Sequence, residues 1–178
     1  MKFYIFLVLT IFLSYSCTNE LNRDIDKLPL ETQSGANTVG CLINGKVFLP
    51  YREGIGAAVN CFYQEVNGEL FFSMSFVDAK GAGVRAVSVN TSRLDLVQGQ
   101  TYSLNKNFND DGDFTGAGGS YSINATEKFY TTSIVVGELK ITYLDRSKSV
   151  VSGSFWFDAI NSNGEIIEIR EGRFDWDY

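Results

Sequence analysis

The fold is decided by one stretch of the chain, Asn67-Gly68-Glu69-Leu70-Phe71-Phe72-Ser73-Met74-Ser75-Phe76-Val77-Asp78. Apolar side chains recur at every second position from Leu70 to Phe76, and Ser73 and Ser75 fall between them on the opposite side. This alternation predicts a β-strand with one buried face. Because Asn-Gly tolerates the positive φ values of a tight turn, residues 57–66 are predicted to form the partner strand of a hairpin.

Similar alternation, bounded by turn residues, extends in both directions along the chain. It covers residues 41–43, 46–50, 84–90, 101–104, 120–125, 129–144, 150–159 and 165–178. The polar, glycine-rich residues 105–119 are predicted to be a loop. The chain is therefore predicted to be all-β, a single antiparallel β-sandwich or flattened β-barrel of nine or ten strands, with a meander at its C-terminal end.

The last predicted strand changes the phase of its apolar face. Ile167 and Ile169 occupy odd positions, whereas Phe174 and Trp176 occupy even ones. One extra residue near Glu171-Gly172-Arg173 would return all four side chains to the same face. The sequence therefore predicts a β-bulge at this point.

The first seventeen residues have the pattern of an export signal. Lys2 precedes an apolar run over residues 3–13, which is too short to span a bilayer as a helix of roughly twenty residues. The small or polar residues Ser14, Tyr15 and Ser16 then lead to Cys17, placed where bacterial lipoprotein signals are cut and the thiol is acylated. We expect residues 1–16 to be a lipoprotein signal peptide and Cys17 to carry the lipid. Plain secretion and an uncleaved anchor are the alternatives.

The anchor predicts where the protein works. We expect it at the bacterial cell envelope, held on the outer membrane by its lipid and either periplasmic or surface-exposed. Residues 17–38 are polar and show no lasting period, so they are predicted to be a flexible tether with a reach of about 25 Å. Residues 39–178 are predicted to be the β domain.

Composition argues against several classes of function. The chain has 21 acidic and 15 basic residues, a net charge of −6, so nucleic acid is not an expected partner. It contains no histidine, which removes the usual general base and the commonest metal ligand. We expect no cofactor and no enzymatic activity.

Two cysteines remain for the domain if Cys17 is acylated. Cys41 and Cys61 lie on separate predicted strands, and an exported protein can pair them in a disulfide. The alternative is two buried thiols that pack as small apolar side chains.

Acidic residues suggest two further kinds of site. The loop residues Asp110, Asp111 and Asp113 are weak candidates for calcium ligands, but a solvated turn explains them better, and no metal site is predicted. A glycosidase would need two acids across a cleft. The candidates are Glu165, Glu168, Glu171 and Asp175 on the last strand, with Asp158. An exposed ion-pair ladder with Arg170 and Arg173 explains the same residues.

The high aromatic content leaves two interpretations open. Rings near loops can form a platform for sugars or peptides, and the candidate ligand contacts are Tyr51, Tyr102, Phe114 and Tyr121, with Tyr63, Phe108 and Tyr130 nearby. The alternative is that most of these rings fill the core, because strands favour aromatic residues for packing.

Two segments carry a resemblance to a known family. Residues 28–50 read Leu-Pro-Leu-Glu-Thr-Gln-Ser-Gly-Ala-Asn-Thr-Val-Gly-Cys-Leu-Ile-Asn-Gly-Lys-Val-Phe-Leu-Pro, and the closing hairpin contains Ser152-Gly153-Ser154-Phe155-Trp156-Phe157 and Glu171-Gly172-Arg173-Phe174-Asp175. Both resemble a family of uncharacterised Bacteroidetes lipoproteins, a domain of unknown function. The resemblance implies an envelope location and an all-β fold, and it implies no activity.

These observations favour a non-catalytic binding or interaction module with a glycan, peptide or protein ligand. The alternative is a carrier that holds a small apolar ligand inside a barrel. The two differ in whether Phe72, Phe76, Phe155 and Phe157 pack against each other or line a cavity. An envelope glycan hydrolase is the third hypothesis.

Overall fold

The chain folds into strands, as its period-two pattern predicts. The computed structural model describes residues 23–81, 83–110 and 113–178. Within these ranges it contains a short 3-10 helix, Asp24–Lys27, and eleven strands. The strands are β1 (Thr38–Ile43), β2 (Lys46–Phe48), β3 (Val59–Val66), β4 (Glu69–Asp78), β5 (Arg85–Ser92), β6 (Thr101–Leu104), β7 (Gly116–Ile123), β8 (Glu127–Tyr130), β9 (Gly137–Asp145), β10 (Val150–Ile160) and β11 (Ile166–Asp177). The all-β prediction is confirmed, with eleven described strands instead of nine or ten.

The described strands form one sheet that curls into a partly closed ring. Their order is β2-β1-β11-β10-β9-β6-β7-β5-β4-β3, and β8 pairs with both β7 and β10. Tyr51, just after β2, joins the far side of the sheet: its N–H donates to Val77 O at 2.8 Å, and its carbonyl accepts from Ala79 N at 2.8 Å. The predicted meander is confirmed as β9-β10-β11. The sheet is antiparallel except for the β6–β7 pair and this bridge from Tyr51.

Phenylalanine rings fill the inside of the ring. Phe155 packs against three other rings, 6.5 Å from Phe76, 6.3 Å from Phe157 and 6.4 Å from Phe174 between ring centroids, and Phe72 lies 5.8 Å from Phe174. All five side chains are buried. The rings that a carrier would use to line a cavity contact one another, which argues against the apolar-ligand carrier.

The predicted bulge in the last strand is confirmed at Glu171. This residue has a φ of 53°, in the left-handed region. On β10, Phe155 pairs with Gly172 and Phe157 with Ile169, so β11 contains one residue more than its partner between these pairs. The extra residue returns Phe174 to the inner face beside Ile169.

Two predicted boundaries were wrong, both because tertiary contacts decided them. The glycines of the predicted loop 105–119 belong in part to β7, which begins at Gly116. A Cβ on Gly119 would lie 2.8 Å from the Phe157 ring, so glycine is needed for close packing rather than for a turn. The predicted strand over 129–144 is interrupted between β8 and β9, where Thr132 N donates to Val135 O at 2.7 Å.

The largest correction concerns the predicted tether. Residues 28–37, called the strap from here on, cross the outer face of the sheet instead of extending freely into solvent. Five groups of the strap donate hydrogen bonds to the Asp175 carboxylate: Thr32 Oγ1 at 2.6 Å, Ser34 Oγ at 3.4 Å, and the backbone N–H groups of Ser34, Gly35 and Ala36 at 2.9, 2.8 and 3.1 Å. The tether prediction is therefore wrong for residues 24–38.

Membrane association was also predicted, through the first seventeen residues. These, with Cys17, lie outside the described residues. In the ranges that are described, the structure contains no helix with the length and apolar character needed to cross a bilayer.

Candidate binding groove on the outer face of the sheet

A tryptophan stands out on the outer face of the meander. Along β10 the side chains of Phe155 and Phe157 point into the core, so Trp156 points outward, where 37% of it is exposed. Its position follows directly from strand alternation. An exposed Trp is unusual because burying the ring would remove a large apolar surface from water.

Polar partners hold the Trp156 ring in one orientation. The indole Nε1 donates to Glu138 Oε2 at 3.3 Å, and Glu138 is the residue directly opposite Trp156 on β9. The Arg170 guanidinium lies 5.5 Å from the ring centroid, within the range of a cation–π contact. The ring is therefore presented to solvent by neighbours on both adjacent strands.

Arg170 is itself fixed in place. Its Nη1 donates to the carbonyl oxygens of Phe157 at 3.1 Å and Ile169 at 2.9 Å. Its Nη2 lies 2.6 Å from Asp158 Oδ1 and 3.6 Å from Glu168 Oε1. This arrangement is the ion-pair ladder that the sequence offered as the alternative to a catalytic acid pair. It makes Arg170 a rigid support for the tryptophan.

A groove of about 250 Å³ runs beside the tryptophan. Its walls are lined by Glu31, Thr101, Glu138, Lys140, Ser154, Phe155, Trp156, Glu171 and Gly172. Glu31 belongs to the strap, so the segment predicted to be a tether builds one wall. The groove thus combines an aromatic surface with carboxylates, hydroxyls and an amine.

The meander that carries this groove lies in a segment with known relatives. A family model, a domain of unknown function named DUF6252, matches residues 81–175, just over half of the chain. The chain belongs to this family. No curated protein and no solved structure matches the chain. The DUF6252 segment includes Glu138, Trp156 and Glu171, whereas the strap and strands β1 to β4 lie outside it.

The acidic residues suggested for glycosidase chemistry in this DUF6252 chain differ in their burial and in their hydrogen-bond and ion-pair partners. Asp175 is 1% exposed and lies under the strap, where it also accepts a hydrogen bond from Ser152 Oγ at 2.7 Å. Burial alone would raise the pKa of Asp175, but these hydrogen bonds outweigh burial and hold it well below its usual range. Asp158 is paired with Arg170, and Glu165 accepts from Asn161 Nδ2 at 2.6 Å. Only Glu171 of this set lines the groove.

The aromatic candidates do not form a platform. Tyr121 is 4% exposed and packs 5.8 Å from Phe129, so it belongs to the core. The Tyr51 ring faces Lys80, and Tyr102 accepts from Val97 N at 2.8 Å. Phe114 packs 4.8 Å from Phe108. No ring contact joins any two of the four candidates, Tyr51, Tyr102, Phe114 and Tyr121.

Sequence reasoning missed Trp156, the residue on which the groove is built. The signal was present: Phe155 and Phe157 on the inner face require the residue between them to face outward. What the pattern of β10 could not show was the polar partners, because they come from β9 and β11.

The acidic side chains of the loop that the structure describes are engaged with other side chains of the protein. Asp113 is paired with Arg93, which also binds Glu69 Oε2 at 2.6 Å. Asp110 accepts from Asn109 Nδ2 at 2.6 Å. Asp111 lies outside the described residues. In the described ranges, no three acidic or cysteine side chains are grouped as metal ligands would be.

The two domain cysteines are free thiols rather than a disulfide. Cys41 is fully buried on β1 and Cys61 is half-buried on β3. Burial raises the pKa of both thiols, that of Cys61 to about 12. The structure therefore matches the alternative of two separate apolar side chains.

These thiols should be almost inert in the folded protein. At pH 8 we expect Cys61 and Cys41 to react with iodoacetamide more than about 100-fold slower than an exposed cysteine, because only the thiolate is the nucleophile. The measurement is intact mass against time, with guanidinium-unfolded protein as the control. A non-reduced mass lower by two hydrogens, with no alkylation after unfolding, would show a disulfide and contradict the structure.

Proposed function

We propose that the protein is a cell-envelope lipoprotein whose β domain binds a saccharide, without catalysis, in the groove beside Trp156. The lipid would be carried by Cys17 and would hold the protein on the outer membrane, periplasmic or surface-exposed. The observation that carries the proposal is the exposed Trp156 ring, fixed by Glu138 and Arg170 on a groove with polar walls.

The chemistry of the groove suits a saccharide. The C–H face of a sugar ring is apolar and packs on the flat face of an indole, while its hydroxyls need donors and acceptors around the rim. The rim supplies carboxylates from Glu138 and Glu171, hydroxyls from Thr101 and Ser154, and the Lys140 amine. Because Arg170 already holds the tryptophan, little conformational entropy is lost when a ligand binds.

Two observations support binding without catalysis. The chain has no histidine. Two of the acids suggested for glycosidase chemistry instead form contacts that hold the structure together. Asp175 holds the strap, and Asp158 holds Arg170. Hydrolysis of a bound glycan that is lost in Glu171→Gln would overturn this part of the proposal.

Removing the indole should remove the binding surface. We expect Trp156→Ala to weaken saccharide binding at least about fivefold, because the stacking surface of the indole contributes on the order of 1 kcal/mol or more. An array of neutral, acidic and amino sugars finds the ligand, and titration calorimetry measures its affinity.

The matched control is Phe108→Ala. Phe108 is 39% exposed, close to the value for Trp156, and lies away from the groove. It should leave affinity unchanged. Equal affinities of Trp156→Ala and the native protein, or an array with no bound saccharide, would overturn the proposed function.

The anchor has its own test. Cys17→Ser should abolish the lipid mass and move the protein from the membrane to the soluble fraction. Unchanged mass and unchanged partitioning would show that no lipid is attached at this position.

A further inference from the structure

We infer that the edge of the domain formed by β2 and the start of the strap rests on the lipid surface. The inference depends on the proposed lipid at Cys17 and adds to it which face of the domain meets the bilayer. It follows from the contact of Asp24 with the domain, from the surface found there and from the local charge.

Contacts of the described residues with the domain occur much earlier in the chain than the tether prediction assumed. Asp24 Oδ2 accepts from Val47 N on β2 at 3.2 Å, and Asp24 Oδ1 accepts from Lys27 Nζ at 2.6 Å. Leu28 is 7% exposed. The described chain is thus attached to the domain at Asp24, and residues 18–23 are all that separates the proposed lipid from this contact.

This short connection limits how the domain can turn. In any conformation, the chain from Cys17 to Asp24 spans at most about 25 Å, whereas a free chain from Cys17 to Val39 would span up to about 75 Å. A domain of this size is about 40 Å across. The longer chain would let the domain rotate freely above the membrane, and the shorter one keeps the side that carries Asp24 towards it.

The surface beside Asp24 is apolar. A shallow groove of about 330 Å³ is lined by Lys27, Pro29, Asn37, Thr38, Val39, Leu49 and Pro50. Leu49 is 39% exposed, and Leu30, which follows Pro29 in the strap, is 82% exposed. Leu49 and Pro29 both pack over Gly40, which places the groove between β2 and the strap. Exposed leucines beside half-buried prolines at this position suit the boundary between lipid headgroups and acyl chains.

The charge of this edge differs from that of the whole chain. Over residues 23–31 and 46–48 the ionised residues are Arg23, Asp24, Asp26, Lys27, Glu31 and Lys46, three bases and three acids, so the edge has no net charge, whereas the chain carries −6. Arg23 pairs with Asp26 at 3.6 Å. This side therefore approaches a bilayer without the repulsion that the rest of the acidic surface would meet at anionic headgroups.

The test measures the distance of two labelled side chains from the bilayer. The acylated full chain carries Leu30→Cys or Ile134→Cys, labelled with an environment-sensitive fluorophore, in phosphatidylcholine vesicles that contain a headgroup-quencher lipid. Ile134 is 88% exposed, comparable with Leu30, and lies between β8 and β9, on the other side of the ring from β2. We expect quenching at position 30 to exceed that at position 134 at least twofold.

A longer connection should remove the difference. Twenty Gly/Ser residues inserted between positions 22 and 23 restore a chain longer than the domain, so quenching at position 30 should fall towards the value at position 134. Flotation of the vesicles separates two failures. Protein that does not float with the vesicles overturns the proposed anchor and this inference with it. If the protein floats but quenching is equal at both positions, or if the insertion does not change quenching at position 30, the inferred orientation alone is overturned.

Discussion

Asp175→Asn is expected to lower the free energy of unfolding by about 3 kcal/mol at neutral pH, and the melting temperature by about 9 °C. The carboxylate accepts hydrogen bonds from Thr32 Oγ1, Ser152 Oγ and three backbone N–H groups of the strap. An amide of the same shape turns an N–H₂ group towards these donors, so several buried donors lose their acceptor. Urea denaturation followed by tryptophan fluorescence measures the effect.

The stabilisation that the Asp175 carboxylate provides should also depend on pH. The folded-state pKa of Asp175 lies well below its value in the unfolded chain, which is about 3.9. The ionised carboxylate therefore stabilises the fold fully above about pH 4, and this contribution is lost as the pH falls from there through the folded-state pKa. We expect the stability difference between native protein and Asp175→Asn to be constant from pH 7 to pH 5 and to shrink towards pH 2.

Asp177→Asn is the matched control for both measurements. Asp177 lies two residues further along β11, is exposed, and accepts one hydrogen bond from Asn37 Nδ2 at 3.2 Å. We expect it to cost less than about 0.5 kcal/mol. If both variants lose the same stability, or if Asp175→Asn loses none, the carboxylate does not hold the strap as described.

Gly118→Ala is expected to destabilise the domain by about 3 kcal/mol. A Cβ at this position would approach the backbone oxygen of Lys106 to less than 3.0 Å, closer than real Cβ atoms come. Lys106 cannot move aside easily, because its oxygen accepts from Thr131 Oγ1 at 2.8 Å and its N–H donates to Ala117 O at 3.0 Å. Overpacking of this kind costs about 1–3 kcal/mol when side chains can yield, and the upper end applies where backbone must shift.

Ser122→Ala tests whether the effect is specific to the close approach. Ser122 lies on the same strand and is half-buried. Its replacement by the smaller alanine adds no new contact. Its unfolding free energy should stay within about 0.5 kcal/mol of the native value in thermal and urea denaturation. A Gly118→Ala variant as stable as Ser122→Ala would show that β7 and the segment after β6 do not pack as closely as described.

The positions of the strands could be predicted well from the sequence because they depend on local alternation and turn residues. The Asn67-Gly68 hairpin, the C-terminal meander and the bulge at Glu171 were predicted correctly. The errors occur where contacts with distant parts of the chain determine the local structure. Gly118 and Gly119 look like loop residues in isolation, but they are strand residues that allow Lys106 and Phe157 to approach.

The candidate groove could be predicted only in part. Strand alternation alone places Trp156 outward and Phe155 inward. Its partners Glu138 and Arg170 depend on the register of β10 with two other strands, and Glu31 depends on the path of the strap. The aromatic residues proposed from their nearness to loops failed as a platform because nearness in sequence does not specify a shared surface.

The sequence by itself determined the all-β class, the order of hairpins along the chain and which face of each long strand is apolar, because these features depend on neighbours two residues apart. Only the tertiary structure decided that residues 28–37 form a strap. Their polar composition has no period, and their order comes from a carboxylate at Asp175, about 140 residues away in the chain, whose buried charge is satisfied by their hydroxyl and backbone N–H groups.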